Sequence, residues 1–218
     1  MLCSSSENVI DMSSFQILAI CGMTSPIVYT VMWTLGGRLR SDYNHVRDDI
    51  SSLFAVGAPR KRLFNSFIIA SSLLLFVFYL GLHWGINNGQ GAIIGPALFV
   101  ISGFLGVLVA LFFPLDTGGE IITFRGKMHL VLVMISGILT IAGMVALWFR
   151  LEFVEAWSLF ANYSLISAIV SIVLMVISGI FIKSRFRGLL ERFAVTPFPS
   201  FLFYTCLNGF SDKLDLIN

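Results

Sequence analysis

Five side chains of this sequence could carry chemistry, and all lie in polar connections or at the ends of apolar runs: His45, His129, Asp42, Asp49 and Asp116. Two imidazoles with neighbouring carboxylates can bind a divalent metal ion, or can work as an acid–base pair. The metal or catalytic candidates are His45, His129 and Asp116. Their spacing is not specific, because no H-x-x-x-H, H-E-x-x-H or C-x-x-C motif occurs in the sequence.

Basic side chains near the same residues indicate a second kind of site. Arg47, Arg125 and Lys127 can donate hydrogen bonds beside the turn at Gly118 and Gly119. Basic groups at a membrane surface attract anionic lipid. The leading hypothesis is therefore a pocket that binds a small anionic ligand or a lipid head group, formed by Asp42, His45, Arg47, Asp49, Asp116, Lys127 and His129.

The alternative hypothesis is a membrane-embedded, metal-assisted hydrolase or transferase. His45, His129 and Asp116 would be its ligands, and a neighbouring aspartate its base. The sequence leaves open whether the protein is an enzyme, and it requires no cofactor, although a divalent metal ion fits this alternative. No Walker motif, G-x-S-x-G elbow or dinucleotide-binding G-x-G-x-x-G motif is present.

The composition places these side chains in a membrane protein. Of 218 residues, 57% are hydrophobic and only 12% are charged, and the mean hydropathy is +0.90. Soluble domains carry about 25% charged residues, so this chain has too few to cover a surface in water. The expected partner is the lipid bilayer. Nucleic-acid binding is not expected, because the basic residues follow a membrane topology instead of forming a patch.

Five apolar runs without Asp, Glu, Lys or Arg are long enough to cross a bilayer: 15–35, 63–84, 92–113, 128–149 and 159–182. Each must be a helix, because an isolated strand leaves its backbone unsatisfied in hydrocarbon. A sixth run, 189–210, contains Pro197 and Pro199 and is a weaker candidate. The sequence predicts an all-α integral membrane bundle of six transmembrane helices. It forms one domain, 15–210, between an extracytoplasmic segment, 1–14, and a tail, 211–218.

The basic residues predict the orientation of this bundle in the cell membrane. Twelve of the 14 basic residues fall in the first, third and fifth connections. By the positive-inside rule these connections are cytosolic, and the N-terminus lies outside. The sequence does not determine the oligomeric state.

The connection between the first two spans is expected to contain a short amphipathic helix. Apolar side chains recur there at helical spacing: Tyr43, Val46, Ile50, Leu53 and Phe54. Such a helix would lie in the cytosolic interface. Its polar face would turn His45 and Asp49 over the mouth of the bundle, toward Asp116 and His129.

Three stretches carry a resemblance to a known family. They are residues 42–51 (Asp-Tyr-Asn-His-Val-Arg-Asp-Asp-Ile-Ser) with 57–59, residues 113–119 with 126–129, and residues 188–192 (Gly-Leu-Leu-Glu-Arg). They resemble the motifs of a prokaryotic multi-pass membrane family catalogued as domain of unknown function 998. The resemblance implies six helices and a polar cytosolic pocket built from the first two motifs. It implies no established activity, and the two prolines of the sixth run depart from the family's pattern.

Overall fold

The structure is a computed structural model that describes residues 12–117 and 121–214. Within these ranges it contains seven α-helices: α1 (Met12–Leu39), α2 (Lys61–Gly85), α3 (Ile94–Phe112), α4 (Phe124–Leu151), α5 (Ser158–Ile180), α6 (Arg187–Val195) and α7 (Pro197–Leu214). Short 3₁₀ turns lie at Ile50–Leu53, Asn87–Gly89 and Glu155–Trp157, and the described residues contain no strand. The predicted all-α class is confirmed. Most of segment 1–14, the pair Gly118–Gly119 and the end of the tail lie outside the described residues.

Helices α1 to α5 are long and apolar enough to cross a membrane, and they are the only ones in the described ranges that are. Their outward faces carry large apolar side chains, such as Leu159, which is 77% exposed. The interior is packed with aromatic rings, and those of Phe99 and Phe201 stack with centroids 5.6 Å apart. An apolar exterior of this kind needs lipid around it rather than water. The chain is a multi-pass membrane protein.

The spanning helices pack in chain order, each against the next, and α7 contacts both α1 and α5. Hydroxyl groups join α3 to α4, because Ser102 Oγ lies 2.8 Å from Ser136 Oγ and 2.7 Å from Thr140 Oγ1. Small side chains allow this close approach of two helices.

The connections that hold most of the basic residues meet at one end of the bundle, which we call the basic end. There the backbone N–H of Val56 donates to the carbonyl oxygen of Leu115, and that of Leu189 donates to Val46. The first, third and fifth connections are therefore in direct contact.

The prediction of an amphipathic helix in the first connection is wrong. Residues 41–54 form turns and the single 3₁₀ turn Ile50–Leu53. Side chains take the backbone hydrogen bonds that a helix would need. Asn44 Oδ1 accepts from the N–H groups of Val46 and Arg47, and Asp48 Oδ2 accepts from the N–H of Asn44. Short polar side chains of this type compete with helix formation.

The apolar side chains that suggested this helix are nevertheless buried, with the exception of Val46. They pack against Met32 of α1 and Phe64 of α2, forming a second small core at the basic end from Tyr43, Ile50, Leu53 and Phe54. The hydrophobic pattern therefore identified buried residues correctly but assigned them to the wrong backbone conformation.

The sixth apolar run is two helices rather than the single one expected. Helix α6 ends at Val195 and α7 begins at Pro197. Pro197 and Pro199 have no N–H, so the carbonyl groups four residues before each of them lose their helical partners. Proline is well suited to the first turn of a new helix, where N–H groups have no partner in any case. Helix α7 has 18 residues, and its crossing of the membrane stays a prediction.

Candidate functional site: a cleft at the basic end

A cleft of about 460 Å³ opens at the basic end, between the start of α4, the end of α5, α6 and the first connection. Its lining has two parts. Polar side chains line one part: Asp49, Ser51, His129, Ser178, Lys183, Arg187 and Glu191. Apolar side chains line the other: Leu115, Ile121, Leu130, Val133 and Ile182.

His129 has a fixed orientation in this lining. The side chain is only 4% exposed, and its Nδ1 lies 2.7 Å from the carbonyl oxygen of Phe113. A carbonyl oxygen can only accept, so Nδ1 carries the proton and Nε2 is left as an acceptor in the neutral ring. The ring of Phe54 lies at a centroid distance of 6.4 Å and covers one side of the imidazole.

Arg187 and Lys183 supply the positive charge of the cleft. Arg187 Nη2 lies 3.4 Å from Asp49 Oδ1, and Nε donates to the carbonyl oxygen of Arg47 over 3.1 Å. Lys183 is exposed and forms no ion pair with any residue that the structure describes. One charge is thus compensated and the other is available to a ligand.

Glu191 lies beside these groups and holds the first connection to α6. Its Oε2 accepts a hydrogen bond of 2.6 Å from the N–H of Ile50. Burial raises the pKa of Glu191 to about 7, although that N–H acts in the opposite direction. A carboxyl group that changes charge near neutral pH therefore lines the cleft.

Arg192 holds the first connection in place from the other side of α6. Its buried guanidinium group donates through Nη1 to the carbonyl oxygens of His45 at 2.8 Å and Asp48 at 3.1 Å, and through Nη2 to the hydroxyl of Tyr43. It also lies over the ring of Trp33 at 5.3 Å. Because Arg192 binds backbone oxygens, it fixes the course of the chain as well as its side chains.

Gly188 lets α6 come this close to the first connection. A Cβ atom at Gly188 would lie 2.3 Å from the backbone oxygen of Asp48, which cannot move aside as a flexible side chain could. Only the absence of a side chain allows this contact.

His45 does not line the cleft. Its ring stands edge-on to Trp33 and Tyr43, at centroid distances of 5.6 and 5.3 Å. Its Nδ1 lies 3.2 Å from Arg192 Nη2, and because arginine can only donate, Nδ1 is the acceptor. Burial, together with the charge of Arg192, lowers the pKa of His45. The two histidines thus have different neighbours and different protonated nitrogens.

Asp116 holds the connection between α3 and α4. Its carboxylate accepts from the N–H groups of Ile122 and Thr123, at 2.8 and 2.7 Å, and from Thr123 Oγ1 at 2.6 Å. These bonds to Thr123 and Ile122 lower the pKa of Asp116. Thr123 in turn caps α4 by accepting from the N–H of Gly126. The geometry makes Asp116 a structural carboxylate, and it is absent from the lining of the cleft.

The remaining predicted site residues also lie outside the lining of the cleft. Asp42 pairs with Arg40, Arg47 pairs with Asp48 at 2.7 Å, and Lys127 is exposed on α4. Of the seven residues, the cleft brings together only Asp49 and His129. Among the described residues, no group of three or more His, Cys, Asp or Glu side chains could hold a metal ion.

Five polar residues of the cleft were missed by the sequence analysis as site residues: Ser51, Ser178, Lys183, Arg187 and Glu191. The two basic ones entered that analysis only as evidence of orientation. Glu191 was visible in the motif 188–192, where a glutamate precedes an arginine beside an apolar run. A carboxyl group so close to a span indicates a specific partner, since charge there is costly.

Comparison with known proteins assigns the chain to a family. A family model described as "Protein of unknown function (DUF998)" matches residues 23–208. The chain belongs to the DUF998 family. The match extends from α1 into α7 and includes all three motifs, so the resemblance seen in the sequence is confirmed. No curated protein and no solved structure matches the chain.

Proposed function

We propose that this DUF998 protein binds the phosphate-bearing head group of an anionic lipid in the cleft at the basic end, and that this end faces the cytosol. The observation that carries the proposal is the two-part lining, basic and polar at the surface and apolar toward the membrane. The orientation rests on the positive-inside rule.

The apolar part of the lining favours a lipid over a small soluble anion. Val133 on α4 is 46% exposed and Ile182 beyond α5 is 53% exposed, and both face the surroundings of the bundle as well as the cleft. An acyl chain can lie along these side chains while its head group stays among the polar ones. A soluble anion would leave this apolar surface unused.

The two cations of the polar part can hold a phosphate group, beside the carboxyl groups of Asp49 and Glu191. Lys183 is the available cation, and Arg187 is held in place by its contacts with Asp49 and the backbone of Arg47. A phosphate oxygen can accept from both cations, and the hydroxyl groups of Ser51 and Ser178 are further donors. Charge-assisted hydrogen bonds of this kind are about twice as strong as neutral ones.

The metal-assisted hydrolase or transferase gains no support from the described residues. His45 and His129 lie in different surroundings, and Asp116 is occupied by the backbone of its own connection. We therefore propose a binding protein rather than this type of enzyme.

Native mass spectrometry of the protein in detergent tests the proposal. With added phosphatidylglycerol, the wild type should retain one lipid, whereas phosphatidylcholine should be retained far less. In the double variant Lys183→Gln/Arg187→Gln, retention of phosphatidylglycerol should fall by about tenfold or more, as expected for the loss of charge-assisted bonds. The matched control is Arg60→Gln/Lys61→Gln, which removes two charges from the same end but outside the cleft.

Three outcomes would count against the proposal. Equal retention of both lipids would remove the basis for head-group recognition. Equal losses of lipid retention in the cleft variant and the control would show that the overall charge of this end, rather than the cleft, determines retention. Displacement of the lipid by millimolar glycerol phosphate would identify a soluble phosphate compound, rather than a lipid, as the ligand.

A further inference from the structure

A second cavity, of about 230 Å³, lies among α1, α2 and the junction of α6 and α7. It shares no lining residue with the cleft at the basic end. Its walls come from the middle of two spanning helices, so its opening faces lipid. No Asp, Glu, Lys, Arg or His lines it.

Hydroxyl groups are the polar feature of this cavity, and they fall into two classes. Ser25 and Ser71 are bonded to each other, since each Oγ donates to the other's carbonyl oxygen at 2.9 and 3.0 Å. Tyr29, Ser72 and Tyr79 also line the cavity, but their hydroxyl groups have no hydrogen-bond partner within the described residues.

The unpaired hydroxyl groups need an acceptor. Tyr79 is 94% buried, since only 6% of it is exposed, and water is scarce at this depth in a bilayer. Buried hydroxyl groups in proteins nearly always have a partner. The buried Tyr79 and the half-buried Tyr29 and Ser72 therefore place three free hydroxyl groups around one cavity, which indicates a ligand that brings oxygen acceptors.

The lining and the size of the cavity restrict what that ligand is. A charged head group is excluded because no opposite charge is present to compensate its desolvation. At about 30 Å³ for each water-sized group, the cavity of about 230 Å³ has room for about eight such groups. That is the size of a glycerol with one ester carbonyl, whose acyl chain can leave through the opening into the bilayer.

We infer that this cavity binds the head region of a neutral acylglycerol, whose ester and hydroxyl oxygens accept hydrogen bonds from Tyr29, Ser72 and Tyr79. The inference does not depend on the function proposed for the cleft. The rigid rings of Pro26 on α1 and Pro199 on α7 line the same cavity.

Photolabelling tests this inference with the protein in nanodiscs. The probe is a monoacylglycerol with a diazirine in its acyl chain, and unlabelled monoacylglycerol or the fatty acid of equal chain length is the competitor. Labelling should map to peptides of α1, α2 and α7. The glyceride should compete at least tenfold better than the fatty acid, since a carboxylate has no compensating charge there.

Removal of single hydroxyl groups tests the residues. Tyr79→Phe and Tyr29→Phe should each weaken competition by about 3- to 10-fold, as expected for one hydrogen bond. The matched control is Tyr163→Phe on α5, which loses a phenol outside the cavity and should bind as the wild type does. Unchanged binding in both cavity variants, equal competition by the fatty acid, or labels spread over the outward faces of α3 and α5 would each overturn the inference.

Discussion

Glu191 on α6 accepts a hydrogen bond from the backbone N–H of Ile50 in the first connection, over a distance of 2.6 Å. This bond joins residues that are 141 positions apart in the chain. Asp49, Arg187 and Arg192 all lie close enough to act on the charge of the same carboxyl group. The anchoring of the first connection therefore depends on a group that titrates near neutral pH.

Stability should depend on pH through Glu191. Its pKa is raised from 4.5 to about 7 by burial, so between these values the folded state binds the proton more tightly than the unfolded state. The contribution of Glu191 to stability should therefore be greatest below about pH 4.5 and be lost as pH rises through about 7. The apparent melting temperature of the wild type, measured against Glu191→Gln, should show this loss, and the variant should lack it.

The comparison with Glu191→Gln is needed because His45 acts in the opposite direction. Its lowered pKa removes stability as pH falls through the ordinary histidine value. The matched control is Glu155→Gln, an exposed residue just before α5, which should keep the wild-type profile. Identical profiles for the wild type and Glu191→Gln would show that Glu191 is not the titrating group.

The sequence predicted the spanning helices well but only part of the site. Long apolar runs without charge have one solution in a bilayer, so α2 to α5 fall where the sequence placed them. The conformation of the first connection was predicted wrongly because the side chains of Asn44 and Asp48 take backbone hydrogen bonds that a helix would need. The spacing of apolar residues carries no information about these bonds. The cleft was missed because Arg187 meets Asp49 only through the packing of α6 against the first connection.

The contact of α6 with the first connection should be sensitive to a single methyl group at Gly188. In Gly188→Ala the new Cβ would meet the backbone oxygen of Asp48 at 2.3 Å. Overpacking of this kind costs about 1–3 kcal/mol, which should lower the melting temperature by roughly 5 °C.

Gly179→Ala is the control for Gly188→Ala. It lies on α5, and a Cβ atom there would have nothing within 4 Å. This variant should melt at or above the wild-type temperature, because alanine is the better helix former. An equal loss in both variants would contradict the close approach at Gly188.

Arg192→Lys should loosen the first connection although the charge is kept. An ammonium group cannot reach the carbonyl oxygens of His45 and Asp48 and the hydroxyl of Tyr43 together. We expect the free energy of unfolding to fall by about 3 kcal/mol, by analogy with broken buried charge networks. Proteolysis within residues 40–60 should become faster. Arg185→Lys, whose guanidinium lies over the ring of Phe186 at 4.8 Å, should leave the rate unchanged. Equal cleavage rates in both variants would contradict the role of Arg192.

The proposed orientation is tested with single cysteines in a variant that lacks Cys3, Cys21 and Cys206. A cysteine at Asn88, between α2 and α3, should react with an impermeant thiol reagent in intact cells. A cysteine at Val56, exposed at the basic end, should react only after permeabilisation. The reverse pattern would show that the basic end lies outside.

The most direct measurement locates the anionic lipid on the protein. Liposomes containing the protein and a phosphatidylglycerol with a photoreactive group near its glycerol are illuminated, and the labelled peptides are identified by mass spectrometry. The label should concentrate on residues 130–133 and 178–183, and excess phosphatidylglycerol should remove it while phosphatidylcholine does not. It should also be lost in Lys183→Gln/Arg187→Gln. Labels distributed evenly around α1 to α5, or labels at the cleft that persist in this variant, would contradict the binding of an anionic lipid head group in the cleft.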